Sequence, residues 1–333
     1  MLKRLLQRLQ ARPAPPRGSD AAQVGPETGG DTSIAAGAVA RDELDTRFLR
    51  HLLDAPAEPA VDGFADDILD RIGTTAARLD LARLPRLPAL VPQLLSALRR
   101  DDADANALAA LVGRDPTLAG AVVRSANSAH YRRGGAIVAL PQAIGLIGNE
   151  GLRYVVLTSV MRPILQADPS QQGERAGRCL VAQTEARTWL CGALATRDVD
   201  PGAAQLGSII ASTGAAALLR MMPRSLLAQA AADATFAPRF FRLAADLSSR
   251  TAAHWRLDAA LQQALLAMPG DDARTPLADA LSLADALSML HVLRLAGVID
   301  ADSVLAADAA SIARHEVLLA SVAASGPDDG DAP

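Results

Sequence analysis

The deciding stretch begins Leu84-Pro85-Arg86-Leu87-Pro88 and continues through Arg114-Asp115-Pro116-Thr117-Leu118 and Ser125-Ala126-Asn127-Ser128-Ala129-His130-Tyr131. It closes on Leu140-Pro141-Gln142-Ala143-Ile144-Gly145-Leu146-Ile147-Gly148. Its punctuation is that of short helices joined by tight turns. Pro88 and Pro92 frame a helix start, where a missing N–H costs little. Leu90, Leu94, Leu95 and Leu98 follow at helical spacing. Asp104 is placed to cap a helix carrying Leu108, Leu111 and Val112, and Gly113 to end it. Asp115-Pro116 reads as an N-cap followed by the first helical position, with Leu118, Ala121, Val122 and Ala126 as the buried face. Pro141 starts a helix with Ala143, Ile144 and Ile147 inward, and Gly148 stops it. Leu152, Val155, Val156 and Val160 carry a longer helix up to Pro163.

Taken in order, Leu-Pro-x-Leu-Pro, Asp-Pro-x-Leu, Ala-Asn-Ser-Ala-x-Tyr and Leu-x-x-Ala-Ile-x-x-Ile-Gly resemble the HDOD family, the output-domain relatives of the HD phosphohydrolases. The likeness continues more weakly to Leu295. It implies an all-α, multi-helix domain made of two packed helical sub-bundles, meeting near 163–177.

Outward from that stretch, composition narrows the class. Half of the 333 residues are apolar and only 3% aromatic, so the core is built from Leu, Ala, Val and Ile, which favours close helix packing. No strand alternation of useful length is visible. The net charge of −4 and a pI near 5.8 argue against extended nucleic-acid binding. Lys3 is the only lysine, which points to a GC-rich bacterial source. Cys179 and Cys191 lack the partners of a zinc site or disulfide scaffold and read as buried free thiols in a reducing cytosol. No apolar run reaches transmembrane length, and a cytoplasmic protein is expected.

Residues 1–10 set Leu2, Leu5, Leu6 and Leu9 on one helical face opposite Lys3, Arg4 and Arg8. A frayed terminus is favoured there over a weak membrane or partner contact. Residues 11–40, rich in Pro and Gly, are expected to be a flexible linker. Residues 41–82 should form N-terminal helices on the core, 83–298 the HDOD-like domain, 299–324 a C-terminal helix and 325–333 a disordered tail. A polar loop is expected over 166–174.

The chemistry turns on what is missing. An HD hydrolase needs a His-Asp doublet with further His and Asp residues around its metal, which lowers the pKa of bound water and clamps phosphate. None of His51, His130, His254, His291 and His315 precedes an Asp. The resemblance places the doublet, within a run ending in Gly, at Ala211-Ser212 of Ser208-Ile209-Ile210-Ala211-Ser212-Thr213-Gly214. It places an upstream His at Gln183 and a later His pair at Met268-Pro269. Ala cannot ligate a metal, and Gln and Met are poor ligands for a hard ion. A packed or empty pocket filled by small side chains is therefore expected, with no cofactor. His254 and His291 read as packed or capping residues. Asn127, Ser128, His130, Tyr131, Arg132 and Arg133 form one candidate interaction patch, although turn chemistry explains the same residues and is favoured.

The expected function is a non-catalytic bacterial signal-transduction module that binds other signalling proteins. The alternatives are a metal-dependent HD-type phosphohydrolase and a cyclic-dinucleotide or nucleic-acid binding regulator using Arg132 and Arg133.

Overall fold

The computed structural model describes residues 37–55, 63–81, 93–94, 97–98, 104–128, 131, 134–165, 171–269 and 275–325. Leu2, Leu5, Leu6 and Leu9, most of the linker, the 84–92 opening, His130, Arg132, Arg133 and residues 326–333 of the tail lie outside them.

The turn signals place the first group of helices. Asp104 Oδ1 accepts from Asn106 N at 3.1 Å and opens α3, Ala105–Val112. Asp115 Oδ1 accepts from the amides of Thr117 at 2.9 Å and Leu118 at 3.1 Å and opens α4, Pro116–Ala126. Each cap satisfies backbone donors that a helix N-terminus leaves orphaned. The next helical run, α5, spans Leu140–Leu165 and breaks at Gly148, whose φ of 70° and ψ of 178° suit glycine alone. Ala143, Ile144 and Ile147 before the break and Leu152, Val155 and Val156 after it are buried, as their spacing predicts. Both α3 and α4 pack on α5.

The second group contains α6 (Gln171–Ala193), α7 (Pro201–Met221), α8 (Arg224–Ala230), α9 (Phe236–His254), α10 (Ala259–Ala267) and α11 (Pro276–Leu295). Pro201 and Pro276 sit in the first turns of their helices, behind caps from Asp200 and Thr275. The core is a stack in which α7 lies against α6, α9 and α11. Gly214 permits the α7–α9 crossing, because a Cβ there would stand 1.9 Å from the Ala244 carbonyl oxygen. Preceding all of these, α1 (Arg41–Leu53) packs on α6, α9 and α11, and α2 (Phe64–Ala77) packs on α7, α8 and α9. The two groups join where α5 meets α6 and α7, with Tyr154 edge-on to Trp189 at a ring separation of 6.1 Å.

Three local expectations need correction. The 171–174 part of the expected loop is the first turn of α6. Order starts before Arg41, because Ala38–Val39 form strand β1, paired in parallel with β2, Val304–Leu305. The C-terminal helix, α12, starts at Ala309 and ends at Ser325. Two-residue strands carry no period, so no alternation announces them. The helices α7 and α11 are long and apolar enough to cross a membrane, but 83% and 72% of those stretches are buried within the protein.

Candidate functional site

Four helices bring polar side chains to one point in this apolar stack. On α6, Gln183, Thr184, Arg187 and Thr188 are spaced to share one face, and all four are buried. On α7, Ser208, Ala211, Ser212 and Ala215 also share one face. Asp285 comes from α11, and Arg41 and Asp45 from the first turns of α1.

Asp285 is the centre, with its side chain only 5% exposed. Its Oδ1 accepts from Arg187 Nη1 and, at 2.9 Å, from Gln183 Nε2. Its Oδ2 accepts from Arg41 Nη2 at 2.5 Å. The other arm of the Arg187 fork, Nη2, donates to Ser212 Oγ. Thr184 Oγ1 lies 2.6 Å from the same hydroxyl, and Thr188 Oγ1 lies 2.8 Å from Ser208 Oγ. Arg41 also donates through Nε to Asp45 Oδ1 at 2.8 Å and through Nη1 to the Ser282 carbonyl at 3.3 Å.

The electrostatics follow from burial and pairing. Burial alone would raise the Asp285 pKa, but the Arg41 and Arg187 guanidiniums and their hydrogen bonds hold it below the ordinary value of 3.8. Asp45 goes the other way. Burial pushes it up to about 6, and the neighbouring Asp285 charge adds to the push despite the pairing with Arg41.

Beside this cluster lies a cavity of ≈ 40 Å³, enough for about one to three waters. Gln183, Ala211, Ser212 and Met268 all line it, together with Arg41, Arg187 and Asp285. Four positions chosen from the resemblance, scattered from 183 to 268, thus converge on one place. The expected small side chains are one part of the lining. Ala211, Ala215, Ala244 and Ala245 do line it, but a buried ion pair occupies its polar side. The sequence reading missed Arg41, Arg187 and Asp285. Only Asp285 left a signal, as a charge between Leu281, Ala284, Ser288 and Met289 on a helix that is mostly buried.

These donors do not fit the metal of an HD hydrolase. The one carboxylate lining the cavity has both oxygens engaged by guanidiniums and an amide, and the remaining groups are hydroxyl, amide and thioether. Among the described residues, no group of three or more His, Cys, Asp or Glu is arranged to hold a metal ion. His254 ends α9 and is exposed, and His291 is half-buried on α11, where burial and the Arg294 charge lower its pKa. Neither lines the cavity.

The candidate patch lies elsewhere, after α4. Asn127 Nδ2 donates to the carbonyls of Val123 at 2.9 Å and Ile137 at 2.7 Å, and Asn127 Oδ1 accepts from Ile137 N at 2.8 Å. Its amide is therefore committed to the backbone. Tyr131 is half-buried with its hydroxyl against Gly151, where an added Cβ would come within 2.8 Å of it. Ser128 is also half-buried. Cys179 and Cys191 are buried free thiols, and burial pushes both up to about 12.

The sequence pattern of the HDOD domain family matches residues 84–268. No curated protein matches the chain. Among solved structures, an HDOD domain protein of unknown function from Geobacter sulfurreducens is 16% identical, with a TM-score of 0.51, covering 79% of this chain and 90% of its own. A protein provisionally assigned to signal transduction, from Marinobacter aquaeolei VT8, is 15% identical with a TM-score of 0.51, covering 81% of this chain and 66% of its own. One provisionally assigned as a metal-dependent phosphohydrolase, from Shewanella amazonensis SB2B, is 14% identical with a TM-score of 0.47, covering 78% of this chain and 99% of its own. At these identities the likeness speaks to fold and not to activity.

Proposed function

The chain belongs to the HDOD domain family, and from that premise we propose that it is a non-catalytic signal-transduction module of the bacterial cytosol that works by binding other signalling proteins. One observation carries this reading: at the place where the resemblance puts a hydrolase's metal ligands stand Gln183, Ala211, Ser212 and Met268, around a carboxylate already neutralised by arginines. Among the described residues, the cavity lining offers no ligand set to hold a Lewis acid over a water and no free imidazole or carboxylate to take its proton. The signal-transduction assignment of the Marinobacter relative agrees with the proposal.

The test has two arms. Purified full-length protein is assayed on phosphomonoesters, cyclic nucleotides and cyclic dinucleotides with manganese, iron and magnesium, and its metal content is measured. No turnover and no stoichiometric metal are expected. Affinity capture from the native cytosol should return signalling proteins. Metal near one equivalent, with hydrolysis lost in Asp285→Asn, overturns the proposal in favour of a phosphohydrolase.

A further inference from the structure

We propose that the Arg187 guanidinium is a permanent internal cation in the place of the metal, bracing α6, α7 and α11 together and freeing the fold from any metal requirement. This builds on the non-catalytic reading of the cavity and adds a physical role for the group that fills it.

The geometry is that of a cross-link. Arg187 belongs to α6, one arm of its fork reaches Asp285 on α11, and the other reaches Ser212 on α7. Ser212 stands at the position that the resemblance gives to the Asp of the His-Asp doublet, so the cation meets the same helix at the same point. The side chains of Arg187 and Asp285 are 3% and 5% exposed. Charges so buried persist only when paired, because an isolated one carries a large desolvation penalty. A planar guanidinium suits two diverging acceptors, and it keeps its proton at every accessible pH, so no change of conditions vacates the site. A divalent ion would have to displace arginine from both oxygens of Asp285. The alanines at 211, 215, 244 and 245 line the cavity beside the long arginine side chain, where larger residues would crowd it. Arg41 adds a second positive charge from the solvent side, with 27% of its side chain exposed, and its hydrogen bonds go to Asp285, to Asp45 on its own helix and to the Ser282 carbonyl.

The test is thermal melting of the full chain and three variants: Arg187→Ala, Arg187→Lys, and Arg187→Ala with Asp285→Ala. Wild type should melt at the same temperature in chelator and in millimolar manganese, magnesium or zinc. Arg187→Ala should melt on the order of 10 °C lower, because it leaves the buried Asp285 charge with only the partly exposed Arg41 as its cation. The double variant should recover most of that loss. Arg187→Lys should recover less than half, since it keeps the charge without the fork. Methylguanidinium at tens of millimolar, against matched sodium chloride, should raise the melting point of Arg187→Ala and leave the double variant unmoved. A wild type that loses several degrees in chelator overturns the proposal, as does an Arg187→Ala that melts with wild type. A double variant as unstable as the single also overturns it, since lost packing would then be the cause. If Arg187→Ala does not fold, the double variant still decides: melting near wild type supports the brace, and failure to fold refutes it. Hydrolysis by wild type would defeat the non-catalytic reading while leaving these melting comparisons to stand or fall by themselves.

Discussion

Two polar constructions hold this protein, and they work on opposite terms. At the Asn127 turn, a neutral amide makes three hydrogen bonds to backbone no more than ten residues away. At the Asp285 hub, charged groups meet across 98 residues to Arg187 and 244 to Arg41, in the middle of an apolar stack. The turn loses only hydrogen bonds when cut. The hub, when cut on one side, leaves an ion in a medium that cannot solvate it. Buried charge therefore contributes little as an intact pair but makes each half intolerant of losing the other.

The hardest strain on that contrast is Asp285→Ala, which strands the buried Arg187 guanidinium and leaves Arg41 only Asp45 as a counter-charge. It should cost about 3–5 kcal/mol, read as a shift in urea midpoint at unchanged slope. A loss under about 1 kcal/mol would erase the distinction between hub and turn.

Acid titration gives the next effect. Asp45 sits at about 6 in the folded protein against an ordinary 3.8. Between those values the folded state holds a proton that the unfolded chain has released. Stability from this group is therefore present at acid pH and lost as pH rises through the window, by no more than about 3 kcal/mol. Asp285, held below 3.8, has the opposite sign, and its contribution is lost only as pH falls below that value. Urea melts from pH 4 to 7 should show the Asp45 decline, and Asp45→Asn should flatten it. An unchanged slope in that variant would separate Asp45 from the hub.

Asn127→Ala should cost about 2 kcal/mol, from orphaned backbone groups at Val123 and Ile137. Matching the loss of Asp285→Ala would again erase the contrast. The smallest effect is expected for Asp115→Ala, about 1 kcal/mol through a lost helix cap, checked by the same urea melts.

What could be read in advance follows the same division. The Asp104 and Asp115 caps, the Gly148 break and the Asn127 turn are written in neighbouring residues, where a side chain meets backbone within a few positions, and the structure has each of them as read. The strands β1 and β2 are too short to show a period, and their pairing spans the chain. The cavity was reached only through the resemblance, which named four of its lining residues but not its occupants. Asp285 stands out only as a lone charge on an apolar helix, and Arg41 and Arg187 look like ordinary surface charges until helix packing shows which face is buried. Two of the three, Arg41 and Asp285, also lie outside residues 84–268, so the family pattern says nothing of them.

The span from Arg41 to Asp285 also has a meaning in time. A ribosome adding about 5–20 residues per second needs roughly 10–50 s to make the 244 residues between them. For that interval Arg41 has only Asp45, four residues on, as a counter-charge while Asp285 does not yet exist, and β1 waits longer still for β2. The nascent chain can form α3, α4 and α5 early, from local signals. The hub closes only after most of the polypeptide has emerged, so the last electrostatic step of folding belongs to the end of synthesis.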